Sequence, residues 1–276
     1  MDLRYATGPD QLPGMDTDEL RRCYLVQGLF VDDAATAVLS HHDRVVLVGV
    51  RPVSEPVVLP AFPELRAAAF FENREAGIVN VGGPGTVDVD GVPYKLDRGA
   101  CLYVGRGAGD VALTSFERLD PANFYVFSAP AHATWPTTLV EPGGGTVREL
   151  GDGLTSNRRT LTQIIHAGGV RSCQVVMGVT TLHPGSMWNT MPAHTHDRRT
   201  EVYLYFDLPD DARVVHLLGE PTQTRHVIVA DREAVISPSW SVHSGVGTAS
   251  YSFVWAMAGE NQVFDDMDGH PITDLR

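Results

Sequence analysis

Apolar residues along the chain come in short runs separated by glycine, proline and aspartate. In the first half these are VVLVGV (45–50), GIVNVGG (77–83), TVDVDG (86–91), CLYVG (101–105) and FYVFSA (124–129). The texture returns in CQVVMGV (173–179), EVYLYFDL (201–208), ARVVHLLG (212–219), RHVIVA (225–230), EAVISP (233–238) and YSFVWAM (251–257). Short runs bounded by turn formers predict strands, and their regular spacing predicts an all-β sandwich or barrel. Helical periodicity is scarce. Asp16, Thr17, Asp18 and Glu19 supply N-terminal capping chemistry for one short helix, through Leu20 to Tyr24.

The pattern partly repeats. Phe70-Phe71-Glu72-Asn73-Arg74-Glu75 followed by GIVNV resembles His196-Asp197-Arg198-Arg199-Thr200-Glu201 followed by VYLYF. Further on, Asp97–Leu102 resembles Asp231–Ile236, in the same order but with different spacing between blocks. Two barrel halves follow, joined by a Pro/Gly-rich connection near 130–153.

Composition narrows the function classes. The 276 residues suffice for a large core, and 21 Lys+Arg against 34 Asp+Glu give a net charge of −13. Such an acidic chain argues against nucleic acid or an anionic membrane as the main partner, so an anionic substrate needs a local cationic pocket or a metal. Cys23, Cys101 and Cys173 are scattered and odd in number, which argues against a disulfide framework. The first twenty residues carry no signal-peptide pattern, and no apolar run reaches the roughly 20 residues of a membrane helix. The expectation is a soluble protein of the cytoplasm.

One segment carries chemistry. His194 and His196 are two apart, so on a strand both imidazoles face one side. Glu201 lies five beyond His196, the wrong parity for an unbroken strand, and the polar stretch Asp197–Thr200 can host the turn that returns it. His243, some way downstream in Pro238-Ser-Trp-Ser-Val-His243, closes the set. Three imidazoles and a carboxylate suit zinc, iron, manganese or nickel, and not calcium or magnesium.

This HxHxxxxE block with PxWxxH resembles the motif pair of metal-binding cupins. It departs in the longer gap from Gly185 to the first histidine and in Trp240, where cupins place glycine. The runs LTSNRRT (154–160), WNTMPAHTHDRRTEVYLYF (188–206), QTRHVIV (223–229), ISPSWSVHSGVGT (236–248) and MAGENQVFDDMD (257–268) narrow the likeness. With SHHDRVVLVGVRPV and GGPGTVDVDGVPYKL in the first half, they resemble the 5-keto-4-deoxyuronate isomerase family along essentially the whole chain.

That resemblance implies an all-β double cupin: two jelly-roll barrels with few short helices. Residues 1–140 are expected to form a degenerate barrel without metal, and 141–276 the metal-binding barrel. The positions matching His194, His196 and Glu201 fall at Ala69, Phe71 and Ala76, which cannot ligate. His41, His42 and His132 form no HxH pair and read as structural. The family also implies one Zn2+ per chain, a homohexamer, and a place in pectin or uronate catabolism. The substrate it implies is a small uronate-derived keto sugar.

The implied reaction moves a carbonyl from an aldehyde carbon to its neighbour through an enediol. Tyr203 and Tyr205, which share the parity of Glu201, and His226 are candidate proton carriers, as is Glu201 itself. An arginine fork is the natural holder of a carboxylate. Arg158 and Arg225 are taken first, with Arg159 and Arg199 behind them, and Asn189 and Gln262 are candidates for hydroxyls. Two other readings use the same four ligands. One is 5-deoxyglucuronate isomerisation in inositol catabolism; the other is a metal-dependent cupin dioxygenase. A non-catalytic sugar-binding bicupin would not need to keep all four.

Overall fold

The computed structural model describes residues 1–260 and 262–276. Its strands form two seven-stranded sheets, two four-stranded sheets and a two-stranded ribbon. The first seven-stranded sheet runs Asp2–Arg4, Ala35–Ser40, Val46–Val50, Phe124–Pro130, Arg74–Asn80, Cys101–Val104 and Thr138–Val140. The second runs Thr146–Leu150, Arg159–Ile165, Val176–Leu182, Ser252–Gly259, Arg199–Phe206, Ala234–Ser237 and Leu25–Val26. Each is closed by a four-stranded sheet, which in the second half is Trp188–Asn189, Val242–Gly247, Val214–Glu220 and Gln223–Val229. The all-β double cupin expected from the sequence is therefore the architecture observed. Thr17–Tyr24 is the one α-helix among the described residues, and the Asp16 carboxylate caps it by accepting from Glu19 N (2.8 Å).

Strand parity builds three cores. Ala76 and Ile78 face the lumen of the first barrel, and Tyr203 and Tyr205 that of the second. Residues of opposite parity, such as Val79 in one half and Val202 and Leu204 in the other, meet in a third core between the two large sheets. These sheets are thus buried on both faces. That is why their strands read as unbroken apolar runs and not as alternations. Gly77 lies at this junction, where a Cβ would fall 2.8 Å from Ile165 Cδ1.

The register makes the internal repeat concrete. Ala76 pairs with Val104, the last residue of its strand, just as Glu201 pairs with Ser237. The lumen position that carries a carboxylate in the second half carries a methyl in the first. Glu75 has the other parity and points into the junction. There its carboxylate accepts from the backbone N–H of Cys173 (2.7 Å), Gln174 (2.8 Å) and Val175 (3.0 Å), and from Tyr103 OH (2.8 Å).

Two features depart from the sequence reading. The connection near 130–153 is not plain loop, since Thr138–Val140 and Thr146–Leu150 extend the two large sheets at their edges. And the N-terminal segment crosses the boundary drawn at 140. Leu12, Leu20, Tyr24 and Leu25 belong to the core of the second barrel. Trp240, the departure from the cupin motif, donates from Nε1 to Thr7 O (3.2 Å) and helps hold this segment.

Candidate metal centre

His194 lies in the short strand Ala193–Thr195, which pairs with Asp268–His270 in the two-stranded ribbon. His196 follows at the end of that strand, and the turn at Asp197 and Arg198 leads into Arg199–Phe206, bringing Glu201 back to the same point. His243 comes from Val242–Gly247 on the facing sheet. One donor atom from each of the four residues lies within 4.8 Å of all the others. Glu201 Oε2 is 2.9 Å from His196 Nε2 and 2.8 Å from His243 Nε2, and His243 Nε2 is 3.0 Å from His194 Nε2.

The tautomers are set from behind. His196 Nδ1 donates to Asp266 O (2.9 Å), and His243 Nδ1 has Ser241 O at 3.4 Å, so both Nε2 lone pairs point inward. Burial, reinforced by His243 and His196, pulls the His194 imidazole down to about 2. Burial pushes the Glu201 carboxyl up, but the adjacent His243 and His196 more than offset this and hold it well below the usual carboxylate range. Neutral imidazole lone pairs and a carboxylate converging on one point repel each other unless a cation lies between them. This group has the donors and spacing to hold one metal ion.

The cluster opens on a cavity of about 190 Å³ whose walls include Leu161, Phe253, Trp255, Met257 and Phe264. Tyr203 lines it, its ring centroid 5.4 Å from that of His243. Its hydroxyl meets Thr190 Oγ1 (2.8 Å), which itself accepts from Asn189 Nδ2 (2.9 Å). Tyr251 OH donates to Asn189 Oδ1 (2.5 Å), completing a polar chain from the barrel interior to the cavity wall. Burial and the nearby Glu201 carboxylate push the Tyr203 phenol well above its ordinary value.

The other candidates separate clearly. Tyr205 OH is bonded to His216 Nδ1 (2.8 Å) and does not line the cavity. His226 is exposed on Gln223–Val229, beside the N-terminal helix. Arg225 lies there too, donating to Pro13 O (3.2 Å), and Arg158 is exposed. Neither Arg158 nor Arg225 lines the cavity, which departs from their expected place at the substrate: Arg225 is held by the N-terminal segment, and Arg158 is exposed just before the strand that begins at Arg159. Arg159, the next residue, faces in. Burial pulls its guanidinium below its ordinary value, partly offset by Tyr203 and Tyr251. Arg199 is buried and donates to the carbonyls of Val263 (2.8 Å), Phe264 (3.1 Å) and Asp266 (3.1 Å), pinning the segment that carries Phe264 and Met267 over the cavity. Gln262 donates to Ser172 Oγ (2.6 Å) and is not among the cavity-lining residues.

Thr180, Thr190, Trp255 and His216 were not foreseen. The one legible signal was His216, a histidine inside the apolar run ARVVHLLG. Its ring is fully buried, and burial followed by the neighbouring His243 pulls it down to about 3.

Comparison with known proteins agrees with this architecture. The sequence profile of the KduI/IolB family matches residues 37–272. The chain belongs to the KduI/IolB family. Within that family it is 68% identical, over the whole of both chains, to a protein of Kineococcus radiotolerans named 4-deoxy-L-threo-5-hexosulose-uronate ketol-isomerase. A Lachnoclostridium phytofermentans protein of the same name is 49% identical, again over both full lengths. Among solved structures, an IolB-like protein from Salmonella typhimurium superposes with a TM-score of 0.67 at 18% identity, covering 82% of this chain and 87% of that one. At that identity the likeness is one of fold.

Proposed function

We propose that this protein is a zinc-dependent ketol-isomerase acting on 4-deoxy-L-threo-5-hexosulose-uronate in the breakdown of pectin-derived uronates. The observation that carries the reading is full-length identity of 68% to a relative bearing that name. The ligand cluster in the wall of a small cavity supports it. His194, His196, Glu201 and His243 would hold one zinc ion, and the barrel built from the rest of residues 1–140 would carry no metal. When bound, the ion would supply Lewis-acid stabilisation to the neighbouring carbonyl and hydroxyl oxygens of the substrate. Unpaired Cys23, Cys101 and Cys173 fit a reducing, cytoplasmic setting, and a homohexamer is the assembly the family suggests.

The reaction removes one proton from the carbon bearing the hydroxyl and returns one to the former aldehyde carbon, so substrate and product are isomers. An enediolate oxygen develops between the two steps. Tyr203 is placed to donate a hydrogen bond to it: Thr190 can donate to the phenol oxygen, leaving the phenol proton for the cavity. Its raised pKa keeps that proton in place at neutral pH.

The test is turnover of the named substrate by zinc-loaded protein without oxygen, with zinc content measured on the same sample. About one zinc per chain and a product of unchanged mass are expected, with deuterium on the former aldehyde carbon when the reaction runs in heavy water. Loss of deuterium incorporation would point to a hydride shift within an isomerase. Oxygen consumption matching substrate loss would make the protein a dioxygenase. Faster turnover of 5-deoxyglucuronate would move it to the inositol branch.

A further inference from the structure

Beyond the ligand cluster, the cavity has a second polar wall. Strand register places Leu161 opposite Thr180, and Thr180 opposite Phe253. Arg159 lies one inward position to one side of this row, and Trp255, paired with Tyr203, one position to the other. The next inward position pairs Met257 with Glu201. A diagonal of polar groups therefore runs from Arg159 through Thr180 to Trp255 and Tyr203, ending at the histidine cluster. All of them line the cavity.

Two of these groups have unmet hydrogen-bonding capacity. Thr180 is 1% exposed and Trp255 2%, and neither Thr180 Oγ1 nor Trp255 Nε1 has a partner among the described residues. An unpaired buried polar atom is costly, and a polar ligand relieves it. Arg159 is the one cationic side chain lining this cavity; it donates to Asn157 O (2.8 Å) and forms no salt bridge among the described residues. Three donors on one wall, with apolar walls elsewhere, suit an anion bearing several acceptor oxygens.

We infer that Arg159, Thr180 and Trp255 form the subsite for the carboxylate end of the substrate, with the aldehyde end at the histidine cluster. The inference rests on the isomerase reading for its substrate. It also sets a specificity: an acyclic six-carbon acid fits, whereas the corresponding neutral sugar leaves the guanidinium uncompensated.

The test compares wild type with R159M, R159K and T180V, each with its zinc content measured. D-Gluconate, a six-carbon acid without an aldehyde, is titrated calorimetrically into the zinc-loaded proteins. R159M is expected to bind it ~10- to 100-fold more weakly than wild type, with R159K and T180V between them. In turnover, R159M raises KM for the uronate by a similar ~10- to 100-fold, and the wild-type preference in kcat/KM for the uronate over the analogue with a primary alcohol in place of the carboxylate falls by about the same factor. R158M, changed at an exposed position, behaves as wild type.

Equal gluconate binding by wild type and R159M, or none by wild type, overturns the inference. So does an R159M enzyme that keeps the wild-type preference for acid over alcohol. If R159M fails to fold, R159K decides, because a wild-type KM in that variant is equally fatal. Failure of the isomerase reading looks different. A wild type that does not turn over the uronate, yet binds gluconate through Arg159, ends that reading and leaves the anion subsite standing.

Discussion

Tyr203 shows how much a single side chain depends on its neighbours here. A phenol in the lumen of a barrel is ordinary packing. With Thr190 2.8 Å from its oxygen, and burial and then the Glu201 carboxylate raising its pKa, it becomes a fixed, protonated donor facing the cavity. Replacing Tyr203 with Phe keeps the ring and removes only the donor. The expected result is a fall in kcat of about 10²-fold with zinc content unchanged, measured by steady-state kinetics and elemental analysis. His216 makes a different residue-level prediction. Folded, its imidazole is pulled to about 3 against 6.5 in the unfolded chain. Between those values the unfolded chain binds a proton that the folded chain refuses, so stability falls as the pH drops from 6.5 toward 3, by about 1.4 kcal/mol per pH unit. Above 6.5 the residue contributes no pH dependence. In denaturant unfolding of the metal-chelated protein His216 should contribute this much to a slope that His194 steepens further, and H216N should reduce the slope by about that amount.

At the scale of elements, the strand Val242–Gly247 does two jobs two residues apart. His243 faces the cluster, and Gly245 lets Asn189 and Tyr205 come close to the backbone. A Cβ at 245 would lie 2.7 Å from Asn189 Oδ1 and 2.8 Å from Tyr205 OH. G245A should therefore lower stability by about 1–3 kcal/mol. It should also disturb the Asn189–Thr190–Tyr203 chain, so kcat should drop even where the variant is folded. A variant with wild-type melting temperature and kcat would show that this strand has more room than its geometry implies.

For the whole molecule, the junction between the large sheets makes the halves interdependent. Glu75 is the polar centre of that junction, reaching from the first half to three consecutive backbone N–H groups of the second. E75A would leave those donors and Tyr103 OH without their acceptor. We expect a loss of at least about 3 kcal/mol in chemical denaturation, since each unpaired buried donor costs about 1–3 kcal/mol. Unfolding in one transition with reduced midpoint is the expected form. Separation into two transitions would show that, without Glu75, the rest of the junction does not couple the halves and each unfolds on its own.

Sequence alone determined the strand texture, the two-barrel plan and the four cluster residues. Each rests on local chemistry: apolar runs between turn formers, a two-residue histidine spacing, and donor types that only a few metals accept. The helix at Thr17–Tyr24 was legible for the same reason, through its Asp16 cap. Which arginine faces the cavity was not legible, because Arg158 and Arg159 are neighbours with opposite parity and one register step exchanges them. Nor did local pattern reveal that residues near Leu12 and Tyr24 complete the distant barrel, or that Trp240 anchors them. Thr180 and Trp255 looked like ordinary strand residues until pairing set them beside Arg159. Such choices depend on which strands become neighbours, and that is decided by burial of both faces of the large sheets, a property of the assembled chain.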